Sequence, residues 1–189
     1  MPRLILASAS PARARLLTQA GFEFSVMVSG VAEPAEAGVL ELARGKAAAV
    51  AARVDDGLVL GCDSMFEFDG VRVGKPASAD EARQRWRRMR GAWGVLHTGH
   101  CLIDAAGGGS AEEEDSTVVR FGDATDAEID AYVATGEPLG VAGGFTLDNL
   151  GAPFVESVEG NPGTVIGVSL PVVRRLLRKL DVSVVDLWR

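Results

Sequence analysis

The sequence RLILASASPAR, residues 3–13, joins a short apolar run directly to the start of a helix. Leu4, Ile5 and Leu6 form the kind of apolar run that is typical of a buried β-strand. Ser10 and Pro11 then supply a helix N-cap and a proline at the first helical position. A strand that passes into a helix within a few residues indicates an α/β fold, in which strands and helices alternate.

The remainder of the chain continues this alternation. Helices are predicted at residues 39–54, 78–89, 125–135 and 169–180. Strands are predicted at residues 22–28 and 58–61, in a hairpin over 66–73, and at 94–104 and 115–122. We expect the strand that begins at residue 58 to end at Asp63. Residues 1–189 show no repeat and no long linker, so the sequence predicts a single mixed α/β domain.

Composition narrows the class of protein. With 189 residues, 47% of them hydrophobic, the chain can bury a core and does not belong to the disordered class. No apolar run approaches the ~20 residues of a membrane span, and the N-terminus lacks a signal-peptide pattern. The net charge of −7 argues against a general nucleic-acid binder. Cys62 and Cys101 are far apart in the sequence, which favours a reducing, cytoplasmic location and no metal cluster.

Lysine usage is unusual, because the chain has 16 arginines but only three lysines, at positions 46, 75 and 179. Lys46 and Lys75 are therefore candidates for a task that needs a compact ammonium charge. Lys75 lies between Gly74 and Pro76, and the stiff proline favours a lysine held in place, as a phosphate clamp requires. The alternatives are a lysine on the solvated face of an alanine-rich helix for Lys46 and an ordinary surface turn for Lys75.

Ser8, Ser10 and Arg13 surround the predicted start of the first helix. Free N–H groups at a helix start, two hydroxyls and a guanidinium make a candidate anion site, and a triphosphate is its natural ligand. The alternative is an ordinary strand–helix turn, with Ser10 as the cap and Arg13 in solvent.

Asp63 follows a predicted buried strand, and the carboxyl ends of strands are where open α/β sheets place ligands and catalytic groups. A carboxylate there can bind Mg²⁺ or activate a water for attack on phosphorus. An aspartate that caps the following hairpin is the alternative. Glu33, in a loop of small residues, is a weaker candidate. His97 and His100 are three residues apart in a predicted strand and so lie on opposite faces, which argues against a metal pair.

Taken together and in this order, these segments resemble the Maf family of nucleoside triphosphate pyrophosphatases. The likeness runs from Arg3 to about Leu177. The matching segments are Ser8-Ala9-Ser10-Pro11 with Arg13, Glu33, residues 42–47, Gly61-Cys62-Asp63-Ser64, Gly74-Lys75-Pro76, Thr98-Gly99, Gly136-Glu137-Pro138, Ala142-Gly143, residues 151–156 and residues 165–168. The resemblance implies a mixed, elongated α/β sheet with flanking helices and a deep cleft between two lobes, similar to the inosine triphosphatases.

The resemblance also implies the reaction, which is hydrolysis of a nucleoside triphosphate to the monophosphate and pyrophosphate with a divalent cation, Mg²⁺ or Mn²⁺. Asp63 would accept the proton of the attacking water, and Glu33 would assist in positioning the metal or the water, so both are candidate metal ligands. The residues implied to hold the substrate are Ser8, Ser10, Arg13, Lys46 and Lys75. The expected partner is the small-molecule substrate, and a homodimer is left open.

Base preference is implied to depend on Ala12, Ser64 and Asp148. Members that prefer uridine or thymidine triphosphates carry Arg, Thr and Gln at these positions, whereas members that prefer 7-methylguanosine triphosphate carry Trp, Gln and Glu. This chain fits neither set. Two other functions remain open, namely a catalytically weak interaction protein acting in septum formation and a phosphate-ester hydrolase of another type.

Overall fold

The computed structural model describes residues 3–34 and 36–189, and these divide into two compact units. The first unit consists of the described residues up to Asp63 together with Thr98–Asp115 and Gly167–Arg189. The second unit consists of Ser64–His97 and Ser116–Ile166.

Helices and strands alternate along the chain, as the sequence predicts. The strands are β1 (Leu4–Leu6), β2 (Phe24–Val26), β3 (Leu58–Phe68), β4 (Val71–Val73), β5 (Trp93–Asp104), β6 (Ser110–Phe121) and β7 (Val155–Glu159). The α-helices are α1 (Pro11–Gln19), α2 (Val39–Ala51), α3 (Ala79–Met89), α4 (Asp126–Ala134), α5 (Pro162–Ile166) and α6 (Leu170–Lys179). No helix in the described part of the chain is both long and apolar enough to cross a membrane.

The strands form one mixed sheet in the order β2-β1-β3-β5-β6-β7, with β4 paired to β3. Strand β1 runs parallel to β2 and to β3, while β4 and β7 run antiparallel to their neighbours. The prediction of an α/β fold with a mixed sheet and flanking helices is confirmed.

Within the first unit, side chains alternate between two apolar cores. Leu4, Leu6 and Leu60 belong to a core completed by side chains of α1 and α6. Ile5 and Val59 point into a smaller core, which is completed by alanines and Val50 of α2. Alternation along a strand is what sends successive residues to opposite faces of the sheet.

Helix α2 lies unusually close to the sheet because two glycines face it. A Cβ atom on Gly61 of β3 would collide with the carbonyl oxygen of Ala43, and a Cβ on Gly99 of β5 would collide with that of Val39. This close approach brings the α2 side chains down to the level of the strands, which positions Lys46 for the contacts described below.

The second unit is built around aromatic residues. Trp86 of α3 is buried and makes edge-on contacts with Phe121 and Tyr132. The predicted hairpin is confirmed, since β3 and β4 are joined by Asp69 and Gly70, whose φ angles of 52° and 71° suit a tight two-residue turn.

Two predictions about strand ends are wrong. Strand β3 does not end at Asp63 but continues to Phe68, so Asp63 lies in the middle of a strand and not at its carboxyl end. Strand β6 begins at Ser110 and includes the acidic run 112–115, in which Glu112 pairs with Arg44 of α2 and Glu113 pairs with Arg175 of α6. Strand β7 and helix α5 lie in a glycine- and proline-rich stretch for which no element is predicted.

Candidate active site

Ser8, Ser10 and Arg13 meet at the start of α1, as the sequence predicts. The Ser10 side chain caps the helix by accepting a hydrogen bond from the Arg13 backbone N–H at 3.4 Å. Ser8 Oγ accepts from the Ser10 backbone N–H at 3.2 Å and from Arg13 Nη1 at 3.0 Å. Both Ser8 and Arg13 are buried, so the alternative of an arginine in solvent is wrong.

Strand register brings this turn to the neighbourhood of Asp63. Leu6 of β1 is the parallel partner of Leu60 of β3, and the Ala7 N–H donates to the Leu60 carbonyl at 2.8 Å. Continuing the same register two residues further places Ser8 next to Cys62, which immediately precedes Asp63. Burial raises the pKa of the Cys62 thiol to about 11, so this cysteine is a neutral packing residue.

Lys46 joins two carboxylates, and we refer to Lys46, Asp63 and Glu33 as the Lys46 cluster. Its Nζ lies 2.6 Å from Asp63 Oδ1 and 2.5 Å from Glu33 Oε1. The side chains of Lys46 and Asp63 are only 8% and 12% exposed, whereas that of Glu33 is 56% exposed. The cluster therefore consists of a buried ion pair with a second carboxylate at its solvent side.

Lys46 shares the inward face of α2 with small residues. It lies among Ala43, Ala47 and Val50, which are also buried and follow helical spacing. The loop that carries Glu33 lies close to the same helix, since a Cβ atom on Gly45 would come within 3.8 Å of the Val31 side chain. The alternative of a lysine on a solvated face is therefore wrong. The sequence could not show the pairing with Asp63, because it depends on the close approach of α2 to the strands.

Within the described residues, no hydrogen bond reaches Asp63 Oδ2, the oxygen that does not face Lys46. Ser8 offers the opposite property, a hydroxyl proton that is available for donation. Both acceptor positions of the Ser8 hydroxyl are occupied, so its proton can only be donated to a further acceptor. The first unit thus presents one carboxylate oxygen that can accept a proton and one hydroxyl that can donate to an anion.

Lys75 lies in the second unit, exposed, in the loop between β4 and α3. The preceding carbonyl, that of Gly74, accepts hydrogen bonds from Arg85 Nη1 at 2.5 Å and from the Gly143 N–H at 3.3 Å. Pro76, which follows, is buried. The backbone on both sides of Lys75 is therefore held in place, whereas the Lys75 side chain itself is exposed.

The three residues proposed for base preference lie in different places. Ala12 is half-buried in the first turn of α1, and Ser64 follows Asp63 in β3. Asp148 is exposed, in the loop after Phe145.

That loop is held by a residue to which sequence reasoning gave no role, Glu137. Its carboxylate accepts hydrogen bonds from Tyr132 Oη at 2.8 Å, Thr146 Oγ1 at 2.6 Å, Leu150 N at 3.2 Å and Gly151 N at 3.0 Å. We call these five residues the Glu137 cluster. Burial by itself raises the pKa of Glu137, but the hydrogen bonds outweigh it, and the pKa lies below its ordinary value.

From the sequence, His100 is considered only as a metal ligand and is given no other role. It is fully buried in β5, and its Nε2 accepts a hydrogen bond from the Ser169 backbone N–H at 2.8 Å. Its Nδ1 faces the Glu113 carbonyl at 3.3 Å. Burial lowers the pKa of His100 to about 4, so the ring is neutral at physiological pH. The sequence feature that could have indicated a buried His100 is its position directly after Gly99, in the middle of an apolar strand.

Comparisons with known proteins identify the family of the chain. The family model for the Maf-like proteins matches residues 3–180. A protein of Salinispora tropica named nucleoside triphosphate pyrophosphatase is 55% identical, over 98% of this chain and 87% of the relative. Proteins of the same name from Streptomyces avermitilis and Rhodococcus jostii are 55% and 48% identical, over 98% and 100% of this chain and 94% and 97% of the relatives.

Proposed function

The chain belongs to the Maf family, and we propose that it hydrolyses a nucleoside triphosphate to the monophosphate and pyrophosphate. The observation that carries the proposal is the Lys46 cluster, in which a buried lysine holds Asp63 by one oxygen only. Relatives that are about half identical over nearly the whole chain bear the name of this activity.

In the proposed reaction, Asp63 acts as the general base. Its Oδ2 takes a proton from a water molecule, whose oxygen then attacks the α-phosphorus. The bond from that phosphorus to the oxygen bridging the α- and β-phosphates breaks, and pyrophosphate leaves. Lys46 fixes the carboxylate through Oδ1, so that the proton-accepting oxygen keeps one orientation.

Ser8 and Arg13 are the proposed phosphate ligands of the first unit. The Ser8 hydroxyl accepts two hydrogen bonds and has its proton left to donate, and the Arg13 guanidinium is held by Ser8 and by the Gly167 carbonyl, which accepts from Arg13 Nε at 2.8 Å. A guanidinium is a planar group of donors of the kind that suits phosphate oxygens, which supports this assignment.

The Lys46 cluster also fits a divalent cation of the Mg²⁺ type. Asp63 and Glu33 bring two carboxylates to one ammonium. Among the described residues no group of three or more His, Cys, Asp or Glu is suited to a metal, so the other ligands of a cation would come from substrate and water. One or two carboxylates plus substrate phosphates and water is the ligand set that Mg²⁺ uses. Bound by Glu33 and by one acceptor position of Asp63 Oδ2, the cation would neutralise negative charge on the phosphates, and the second acceptor position of Oδ2 would remain for the proton of the water.

Other parts of the proposal rest on the family resemblance. They are the role of Lys75 and Ser10 in holding phosphates, the use of Mg²⁺ or Mn²⁺, a cytoplasmic location and a homodimer. The fixed backbone around Lys75 and the capping position of Ser10 support the first of these.

Product analysis tests the function. The protein is incubated with GTP, 7-methyl-GTP, ATP, CTP, UTP and dTTP, each with Mg²⁺ and with Mn²⁺, and the phosphorus products are identified. We expect pyrophosphate and the nucleoside monophosphate. Orthophosphate would indicate another type of phosphate hydrolase, and no turnover with any nucleotide would favour the interaction role.

The substitution Asp63→Asn tests the general base. It keeps the shape of the side chain but removes the proton acceptor, so kcat should fall at least ~10²-fold with the melting temperature little changed. Asp69→Asn, in the exposed hairpin turn, is the matched control and should retain full activity. An Asp63→Asn variant within a few-fold of wild type would exclude Asp63 as the base.

A further inference from the structure

His100 is a buried titratable group that the proposed reaction does not use. It lies in β5 of the first unit, directly after Gly99, the residue that allows α2 to approach the sheet. Because side chains alternate along a strand, His100 points to the opposite face, toward the N-terminus of α6. Both nitrogens of its ring are engaged by backbone groups.

The protonation pattern of the ring follows from its two partners. Nε2 lies 2.8 Å from the backbone nitrogen of Ser169. Because a backbone N–H can only donate, Nε2 must be the acceptor. The proton then resides on Nδ1, which donates to the Glu113 carbonyl. A neutral histidine in this tautomer therefore ties the cap residue of α6 to the beginning of β6.

The Ser169 side chain does not contribute to this attachment. Ser169 is fully buried at the N-cap of α6, yet its hydroxyl caps no N–H of the helix and has no hydrogen-bond partner among the described residues. The start of α6 is thus anchored through the Ser169 backbone N–H, and His100 is the group that receives it.

Two residues before Ser169 lies the carbonyl that orients Arg13. Gly167 O accepts the hydrogen bond from Arg13 Nε at 2.8 Å. Gly167 has a φ of 121°, a conformation that residues with a Cβ rarely adopt, so its own backbone preference does not fix the direction of this carbonyl. Its direction depends on what anchors the chain on either side.

We propose that His100 is a positioning residue for phosphate binding, which acts by anchoring Ser169 and thereby aiming the Gly167 carbonyl at Arg13. The sequence of contacts runs from the Glu113 carbonyl through the imidazole ring, the Ser169 N–H and the Gly167 carbonyl to the guanidinium that also donates to Ser8. The inference rests on the proposed function, in which Arg13 holds substrate phosphates.

The test compares His100→Leu with His100→Gln. Leucine has a similar volume but no acceptor, so the KM for the nucleoside triphosphate should rise about tenfold, while kcat changes less than threefold, because small losses of orientation in a binding group are costly. Glutamine has an amide oxygen that accepts and an NH₂ that donates, and it should keep KM within about twofold of wild type. A glutamine variant as weak as the leucine variant would overturn the proposal.

Two comparisons separate positioning from general damage. Leu102→Ala, in the same strand and on the same face of it, should lower the melting temperature without a change in KM. In an Arg13→Ala background, His100→Leu should raise KM by less than twofold, since the residue through which it acts is gone. An equal effect of His100→Leu in both backgrounds contradicts the proposal.

A measurement on the unaltered protein needs neither variant nor turnover. Nitrogen-15 NMR of the imidazole side chains should show the Nδ1–H tautomer for His100, with His97→Gln used to assign the two histidines. The tautomer protonated at Nε2 would rule the proposal out, because that nitrogen could not accept from Ser169. Inorganic pyrophosphate titrated by calorimetry should bind about tenfold more weakly to His100→Leu. Wild-type protein that binds pyrophosphate but turns over no nucleotide would refute the proposed function alone.

Discussion

Two carboxylates, Asp63 in the first unit and Glu137 in the second, stand in different hydrogen-bond environments. Asp63 is paired with one ammonium, through one oxygen. Glu137 is surrounded by neutral donors that occupy both of its oxygens, two of them backbone N–H groups of the loop that follows Asp148. The first arrangement leaves one oxygen without any hydrogen bond, whereas in the second each oxygen already accepts at least one.

The difference shows how a reactive carboxylate can be told from a structural one. A carboxylate has about four acceptor positions, and an arrangement that fills them with donors from its own unit stabilises that unit. A carboxylate that is buried against a single lysine retains acceptor positions, and the cost of burying it is offset by the charge of the lysine. Substitutions should therefore affect activity at the Lys46 cluster and stability at the Glu137 cluster.

The largest expected effect is on the stability of a Lys46→Met variant. Methionine fills a similar volume but leaves the Asp63 carboxylate buried without its partner, so the free energy of unfolding should fall by about 3–5 kcal/mol. Urea denaturation followed by circular dichroism measures this loss. Turnover should be lost as well, because Lys46 also fixes the orientation of Asp63.

A double variant provides the control. Lys46→Met combined with Asp63→Leu removes both charges, and most of the stability should return while activity stays absent. If the two substitutions destabilise additively, Lys46 and Asp63 are not coupled, and the contrast with the Glu137 cluster loses its basis.

The pH dependence of stability should differ between the units. His100 has a folded-state pKa of about 4, below its ordinary 6.5, so the unfolded chain takes up the proton first as the pH falls. Stability should drop by about 3 kcal/mol between about pH 6.5 and pH 4. Arg13 and the Glu113 backbone lie beside the ring and contribute to this pKa. The depressed pKa of Glu137 has its effect at lower pH, because stability due to that carboxylate is lost only as the carboxylate protonates.

Urea denaturation at a series of pH values checks this expectation. In a His100→Gln variant the decline between pH 6.5 and pH 4 should disappear, while the decline at lower pH remains. An unchanged profile would mean that His100 does not titrate differently in the folded and unfolded chains.

A Glu137→Gln variant should lose about 2 kcal/mol of stability. The amide keeps one acceptor oxygen, but its NH₂ faces the Leu150 N–H, so that two donors meet and one is left unsatisfied. At saturating substrate, kcat should stay within about threefold of wild type. A loss of kcat as large as that expected for Asp63→Asn would assign Glu137 to the chemistry and remove the contrast between the clusters.

Local signals in the sequence were sufficient for most elements. The caps at Ser10 and Thr125 and the turn at Asp69-Gly70 are decided by neighbouring residues, and all three are confirmed. The end of β3 could not be predicted, because a polar residue such as Asp63 ends a strand unless a partner neutralises it. That partner, Lys46, comes from a helix distant in the sequence.

The same reason limits prediction of the site. Ser8, Arg13 and Asp63 could be selected from residue type and position, and the structure brings Lys46 and Glu33 to Asp63. His100 and Glu137 contact backbone groups outside their own elements, those of Ser169 and Gly151, which lie 69 and 14 residues further along the chain. Such contacts depend on the packing of whole elements and leave no spacing pattern in the sequence.

The smallest expected effect concerns the choice of base, which we predict depends on Asp148. A glutamine amide can accept from the N3–H of uracil and donate to its carbonyl, whereas a carboxylate only accepts. Asp148 facing uracil would leave the carbonyl oxygens unpaired, at a cost of about 1–3 kcal/mol. Guanine offers N1–H and the N2 amino group side by side, which two carboxylate oxygens can accept together. We therefore expect a preference for guanine-type or modified purine triphosphates over UTP and dTTP.

The values of kcat/KM for GTP, 7-methyl-GTP, ATP, CTP, UTP and dTTP measure this preference, and Asp148→Gln is the matched variant. Glutamine restores a donor beside the acceptor, so it should shift selectivity toward UTP and dTTP by about tenfold, which corresponds to about 1.4 kcal/mol in transition-state binding. The Glu137 cluster holds Leu150 and Gly151 in either case, so the loop backbone should stay in place and the shift should arise from the side chain alone. A wild-type protein that prefers UTP or dTTP by tenfold or more would show that Asp148 does not read the base in this way.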